Sequence, residues 1–412
     1  MRRIRLLGFV VLAGACGRAG DGGGTAATRD SAGIAIVENS RAAWASGGAW
    51  RLADSPGLDI SADLDSVAGL VPLSAGRLAV AVAGSHQIRI YDSTGALVHT
   101  SGRTGSGPGE YQMLGGIWAG PGDSILVSDI LVRRLSVIDP NGAYQRSFSF
   151  GGMSGSLVPT NGKVELAFPL GWLTDGSIAG MTMTFAINQK REGKYRDSVL
   201  AVRYAPNGTV RDTLARYPGT EMEQISMTMG AQSFSAPDVV PLGRASIGVA
   251  AGNRFYLAQN NAWEVEVRDL GGRVRRLIRL SRHPVQITEE HIAAHRKARV
   301  EQLEAIPMLK NLPAVKAQMQ TRIDQAKYPA TFPFIAGLIV DPKGDLWVEE
   351  VQAPGVETSV FTVLDSEGVL LGQVTMPERF RAVAVGTDVV YGVWRDQDDV
   401  PHIRGYPLRK GS

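Results

Sequence analysis

One pattern constrains this chain more than any other. An alternating strand, a D/P-x-x-G turn or a close variant, and a following strand recur down its length. The first unit spans residues 88–95 and ends Asp92-Ser93-Thr94-Gly95. The second ends Asp139-Pro140-Asn141-Gly142, the third Pro206-Asn207-Gly208, the fourth Asp269-Leu270-Gly271-Gly272 and the fifth Asp365-Ser366-Glu367-Gly368. Asp and Asn close such turns by accepting backbone N–H bonds, and Gly takes the positive φ that the hairpin requires. A repeated unit cannot bury its apolar face alone, so it fixes the architecture before any single residue is interpreted.

Each unit has a partner strand before it, at residues 77–82, 124–128, 176–180, 254–258 and 345–349. Residues 389–394, a turn at 396–399 and residues 402–406 supply a sixth unit that lacks a strand after it. Residues 50–60, at the other end of the body, are a strand without a partner. Pairing the two closes a ring and removes an exposed edge. The expectation is an all-β, six-bladed β-propeller over residues 34–412.

The turn glycines are separated by 47, 66, 64 and 96 residues. A four-stranded blade takes about 40 to 50 residues. The 96-residue gap holds an insertion at residues 282–328, just before the fifth blade, and the 66 and 64 gaps imply longer loops near 182–197 and 221–235. The insertion reads as helical. Thr288 is a candidate N-cap followed by Glu289 and Glu290, where the helix dipole favours acids. Pro307 and Pro313 break it, and Val315, Met319, Ile323 and Ala326 share one face of a second short helix. It reads as a helical hairpin on the propeller rim, or as a lid or partner surface, since long insertions between repeats usually carry function.

The amino terminus reads separately. Met1-Arg2-Arg3-Ile4-Arg5 is a basic start, and residues 6–15 are an apolar run too short to span a bilayer core, which needs roughly 20 helical residues. Residues 1–15 are therefore a predicted export signal. Ala13-Gly14-Ala15-Cys16 fits ordinary signal cleavage and also resembles a bacterial lipobox. Cys16 is the only cysteine, and a lone thiol in an oxidising compartment is a liability unless it is used. Lipidation of Cys16 is the expected outcome, with anchoring on the periplasmic or cell-surface side of a membrane, and plain secretion is the alternative. Residues 16–33 read as a flexible tether.

The signal carries away Arg2, Arg3 and Arg5 of the 43 basic residues, leaving 40 against 40 acidic ones. A balanced body gives no support for nucleic acid as a partner.

Several stretches together resemble the bacterial six-bladed β-propeller lipoproteins grouped with NHL-repeat proteins. They are residues 30–40, Trp50-Arg51-Leu52, the glycine-rich corner Arg103 to Tyr111 ending Gly107-Pro108-Gly109-Glu110-Tyr111, residues 329–334, and residues 338–348. The resemblance implies a propeller and a surface location. It carries no reaction, because propellers host many unrelated activities.

Chemistry-bearing clusters are sparse. His291 and His295 sit four apart on a predicted helix, but Ile292 stands where H-E-x-x-H needs Glu, so they read as surface histidines. Asp396, Asp398 and Asp399 read as a solvated hairpin tip. No G-x-S-x-G elbow, P-loop or EF-hand loop occurs, and no cofactor motif is present. Trp118, Trp172, Trp263, Trp347 and Trp394 lie in strand patterns and suit packing between blades. Arg103 and Glu110 read first as a pair pinning the corner, and otherwise as ligand contacts.

Two functions follow. The favoured one is a non-enzymatic binding or scaffold module presenting a propeller face to a protein, peptide or glycan. Its candidate contacts are Arg103, Tyr111, Tyr328, Phe332 and Arg379, which flank inner strands at loop positions. The rival is a metal-dependent hydrolase or lyase with its site in the central channel. The expected inner strands argue against it: Leu70-Val71-Pro72, Gly116-Ile117-Trp118, Phe168-Pro169-Leu170, Phe332-Pro333-Phe334 and Arg381-Ala382-Val383 are mostly apolar, whereas a hard cation wants several oxygen ligands.

Overall fold

The computed structural model describes residues 25–44, 49–61, 63–150, 163–186, 191–229 and 232–411. The expected signal at 1–15, Cys16 and the first part of the tether lie outside these residues.

Six sheets, antiparallel but for one added strand at the edge of blade 4, make the blades. Blade 1 holds Val67–Pro72, Leu78–Val82, Gln87–Tyr91 and Leu97–Ser101. Blade 2 holds Leu114–Ala119, Ile125–Asp129, Arg134–Ile138 and Tyr144–Ser149. Blade 3 holds Lys163–Trp172, Ile178–Ala186, Lys194–Tyr204, Val210–Met229 and Gln232–Val239. Blade 4 holds Ser246–Ala251, Arg254–Gln259, Glu264–Arg268 and Val274–Leu280. Blade 5 holds Ile335–Val340, Leu346–Glu350, Val360–Leu364 and Leu370–Thr375. Blade 6 holds Phe380–Val385, Val389–Arg395 and Pro401–Arg409.

The ring closes as expected. Leu58–Ile60 pairs antiparallel with Pro401–Arg409, and Arg51–Leu52 extends the same strand at Leu408 and Arg409. Ile60 and Ile403 are buried in one cluster with Leu70, Leu78 and Val80 of blade 1. Trp50 stacks between Trp44 and Trp347, with ring centroids 4.9 and 6.1 Å away. The closure therefore joins both ends of the chain through backbone pairing and core packing at once.

The turns repeat one geometry. Oδ1 of Asp92, Asp139, Asp269, Asp365 and Asp396 accepts two backbone N–H bonds in every case, from the second and fourth residues after it, at 2.9 to 3.0 Å. Gly95, Gly142, Gly272 and Gly368 follow with φ between +77° and +92°. In the third unit Ala205 stands at the Asp position, and Asn207, two positions later, accepts one backbone N–H, from Thr209. The Asp396 carboxylate is thus spent on its own hairpin, as a solvated tip requires.

Three expectations are corrected. Residues 16–33 are not a tether throughout: Thr25–Ser31 and Ile34–Arg41 form a hairpin, and the second strand lies parallel to Val274–Leu280 at the outer edge of blade 4. Asn39 fastens it, donating to the carbonyls of Arg279 and Gly368 and accepting from Leu370 N–H at 2.8 Å. The loops expected near 182–197 and 221–235 are largely strand. The long strands of blade 3 run past the ring and end in an extra strand, with Met222 opposite Val239. Finally, Phe332 to Phe334 is not an inner strand; the inner strand of blade 5 begins at Ile335.

Antiparallel order places the connections. The Asp-x-x-Gly turns lie at one end of the propeller. The connections from each outer strand to the next inner strand lie at the other, and they include the 102–113 corner and residues 281–334. The insertion is helix α1, Glu289–Glu304, a 3-10 turn Pro307–Asn311, and helix α2, Pro313–Gln325. Thr288 caps α1, and His291 returns its Nδ1 to the Thr288 N–H at 3.2 Å. The helical stretch breaks between Pro307 and Pro313 as expected, and Pro313 opens α2, because the first helical position needs no N–H donor.

Candidate functional site

The central channel, about 1040 Å³, takes one wall strand from every blade. Leu70, Val71, Ile117, Leu170, Val249, Leu338, Ile339 and Val383 make that wall apolar, and Trp118 and Trp172 line it as well. Its polar groups, Asn253, Arg254, Asp341, Lys343 and Ser366, collect at the end that bears the Asp-x-x-Gly turns. Asp341 is committed to its own turn, accepting from the N–H groups of Lys343 and Asp345. Among the described residues no three His, Cys, Asp or Glu side chains come together as a metal ligand set.

The glycine-rich corner is a built structure. Glu110 accepts from Arg103 Nε at 2.9 Å and from the Gly107 N–H at 2.8 Å. Those bonds, the Gly107 N–H first, hold its carboxyl below the usual carboxylate range. Arg134 donates to the carbonyls of Ser106, Gly107 and Glu110. Asp129, fully buried, accepts from the N–H groups of Gln112, Met113, Leu131 and Val132. A Cβ on Gly105 would lie 2.2 Å from the Glu110 carboxylate, so only glycine leaves room for it. Pinning is therefore what the Arg103 and Glu110 pair does.

Tyr111 is corrected as a ligand contact. It is 1% exposed and packs in the core with Ile88, Leu114 and Ile125, where burial pushes its phenol up to about 12. Arg103 is 80% exposed at its side chain. Arg379 sits in the connection between blades 5 and 6, with φ +59° and its N–H bonded to the Glu357 carbonyl. These positions share an end of the propeller with Tyr328 and Phe332 but belong to different connections.

The structure brings Tyr328 and Phe332 together with α1. Phe332 meets His291 edge-on at 5.0 Å, and Tyr328 meets His295 edge-on at 5.5 Å. The Tyr328 hydroxyl lies 3.0 Å from His295 Nδ1. The two histidines are thus half-buried docking residues and not freely solvated ones. Their four-residue spacing matches that of the two aromatics on the returning chain.

Beneath the insertion lies a cavity of about 750 Å³. Leu303 and Ile306 at the end of α1, Met319 and Ile323 of α2, and Ala326 form one wall. Residues 239–242, which leave blade 3, form the other. Tyr328, His295, Arg299, Gln302 and the Arg322–Asp238 ion pair supply the polar groups. Three of the four residues of the apolar α2 stripe, Met319, Ile323 and Ala326, therefore face a cavity. A mostly apolar cleft of this size with a few convergent polar groups has the character of a ligand site.

Burial, and then the Arg299 charge, lower the His295 pKa from 6.5, so the ring is neutral at pH 7. Burial raises the Tyr328 phenol, which stays protonated. Because the folded-state value of His295 is the lower one, the unfolded segment takes the proton first. The docking of α1 is at full strength above pH 6.5 and weakens as pH falls below it. The protection factors of the α1 amides, exchange rates referred to the intrinsic rate at each pH, should fall on acidification below that point, and His295→Gln should flatten the effect. An unchanged pH profile in the variant would contradict it.

No family model matches the chain, and no curated protein matches it by sequence. Solved structures do. A DUF4221-family protein from Bacteroides vulgatus ATCC 8482 is similar at 13% identity and a TM-score of 0.51, over 89% of this chain and all of that one. A candidate exported protein from Bacteroides fragilis NCTC 9343 is similar at 12% identity and a TM-score of 0.47, over 92% of this chain and all of that one. A virginiamycin B lyase from Staphylococcus aureus is similar at 8% identity and a TM-score of 0.40, over 88% and 100%. At these identities the likeness is one of fold: the chain is a six-bladed β-propeller with structural neighbours that include a DUF4221-family protein.

Proposed function

We propose that this chain is an exported, non-enzymatic binding module that presents the insertion-bearing end of its propeller to a protein, peptide or glycan. One observation carries the reading. The helical insertion, the pinned corner and the cavity beneath α1 and α2 gather at that end, while the channel wall is mostly apolar and its polar groups collect at the opposite end. Broad loop-built propeller ends suit recognition. A channel enzyme needs oxygen or nitrogen ligands converging from several inner strands, and Asp341 is already engaged by its turn.

Elemental analysis of the purified protein separates this reading from its rival. The expected result is no stoichiometric calcium or zinc. One equivalent of either, lost on Asp341→Ala, would move the function into the channel and overturn the binding reading.

The same reading places the protein at a membrane through a lipid on Cys16. The basic start, the short apolar run and the lone cysteine support it, and no helix among the described residues is long and apolar enough to cross a membrane. Cys16→Ala should shift the protein from the membrane fraction to the soluble fraction. A substituted protein that stays membrane-bound, with no lipid on the wild type by mass spectrometry, would favour plain secretion.

A further inference from the structure

The cavity under the insertion is not a generic apolar hollow. Its floor is aliphatic: Val240, Pro241, Leu242, Leu303, Ile306 and Ile323. Its polar side is cationic. Arg299 is exposed at the mouth and donates to the neutral Gln302 side-chain carbonyl, at 3.2 Å. Arg296 stacks over the Tyr328 ring at 5.7 Å, and its buried Nε has no hydrogen-bond partner. Arg322 pairs with Asp238, and its buried Nε is likewise unpartnered.

The other charges nearby do not redress the balance. Glu301 pairs with Lys297 and Glu304 with Lys316, both away from the cavity lining. Asp324 accepts from Gln320. Two guanidinium groups line the cavity, Arg299 and Arg322, against one carboxylate, Asp238, which Arg322 already pairs, so the Arg299 charge stands unbalanced. His295 Nδ1 is taken up by Tyr328. An exposed guanidinium bonded to a neutral amide, beside an apolar wall, suits an anion carrying an apolar body, because a charge-assisted bond is roughly twice as strong as a neutral one.

We infer that this cavity binds a small amphipathic organic anion, an alkyl or aryl carboxylate being the simplest class, with the apolar body against Leu303 and Ile323 and the carboxylate toward Arg299. The inference rests on the insertion-bearing end being a binding surface and adds a small-molecule ligand to it. A volume of about 750 Å³ falls within the usual range for such ligands, roughly 300 to 1,000 Å³. The Arg322–Asp238 pair ties α2 to the blade 3 strand Gln232–Val239, so the two walls are held together before any ligand arrives.

The test uses the full chain and three probes of equal chain length: dodecanoate, dodecanol and dodecyltrimethylammonium, each below its micellar concentration, by titration calorimetry. Dodecanoate should bind at one equivalent, and dodecanol and the cation at least about tenfold more weakly, which is a difference of about 1.4 kcal/mol. Arg299→Ala, at an exposed position that folding does not depend on, should weaken dodecanoate about tenfold and leave dodecanol unchanged. Ile323→Trp should obstruct the wall against which the apolar body lies and weaken both, with its thermal midpoint confirming the fold. Equal binding of dodecanoate and dodecanol, or an Arg299→Ala variant that binds dodecanoate as the wild type does, would overturn the anion assignment and leave a neutral apolar site. No binding by any probe would overturn the inference altogether, while the macromolecular reading would still stand or fall on the metal analysis.

Discussion

Ending the chain after Val400 should abolish the soluble, monomeric protein. The lost strand, Pro401–Arg409, pairs with Val389–Arg395 on one side and with Leu58–Ile60 and Arg51–Leu52 on the other. It buries Ile403, Tyr406 and Leu408 almost completely. Three such side chains contribute on the order of 5 kcal/mol or more by area alone, and a whole domain is stable by only about 5 to 15 kcal/mol. The truncation also bares two strand edges, one at each end of the ring, which are templates for pairing between molecules. The expected result is aggregation in size-exclusion chromatography and loss of the cooperative thermal transition. Ending the chain after Arg409 is the control. It removes Lys410, whose surface pairing with Asp388 and contact with Trp50 are worth about 1 kcal/mol at most. A monodisperse, cooperatively melting protein that stops at Val400 would show that the ring does not depend on this closure.

The ring was readable because its punctuation is chemical. Each Asp-x-x-Gly turn needs a carboxylate or amide to collect backbone N–H groups and a glycine to take positive φ, and few other residues serve. The closing strand was readable because residues 50–60 and 402–406 each lacked a neighbour. The amino-terminal hairpin was missed for want of an apolar period. Its first strand is mostly exposed and is ordered by its ladder with Ile34–Arg41. Its signal was nevertheless present in the spelling Asp30-Ser31-Ala32-Gly33, although the turn is tighter than the others: Ala32 and Gly33 both take positive φ, +54° and +81°, and the Gly33 N–H donates to the Asp30 side chain at 3.1 Å.

Blade 3 misled for another reason. The 66- and 64-residue gaps read as longer loops, whereas the extra length lies in long strands and a fifth strand, and Pro218 and Gly219 are accommodated by a register shift inside Val210–Met229. At the candidate site, the apolar stripe of Met319, Ile323 and Ala326 was legible as a helix face, although what it faces was not. His295 and Tyr328 lie 33 residues apart, and nothing local announces their contact. Tyr111 was misplaced because a phenol beside a glycine-rich corner reads as exposed, while Gly102 opens the space that buries it: a Cβ there would lie 2.9 Å from the Tyr111 ring.

Removing residues 288–329 and joining the flanks by a short turn should separate binding from folding. The insertion leaves and re-enters the ring on a two-stranded stalk. Phe332 N–H bonds the Val285 carbonyl at 2.9 Å, Ile287 N–H bonds the Ala330 carbonyl at 2.9 Å, and Gln286 bridges Thr331. The ends are therefore already adjacent, and closing a shorter loop costs little entropy. Blades 4 and 5 keep a cluster of their own, with Val265, Ile278, Leu346 and Val348 buried in it. The most direct test of the account is a fluorescence titration of the intact and the excised protein with anilinonaphthalene sulfonate, an apolar anion, alongside their thermal midpoints. The account predicts one saturable site on the intact protein, none on the excised one, and midpoints within a few degrees of each other, since roughly 1 kcal/mol moves the midpoint of a domain this large by only about 2 to 4 °C. Saturable binding that survives the excision would place recognition elsewhere on the propeller and contradict the assignment of its insertion-bearing cavity.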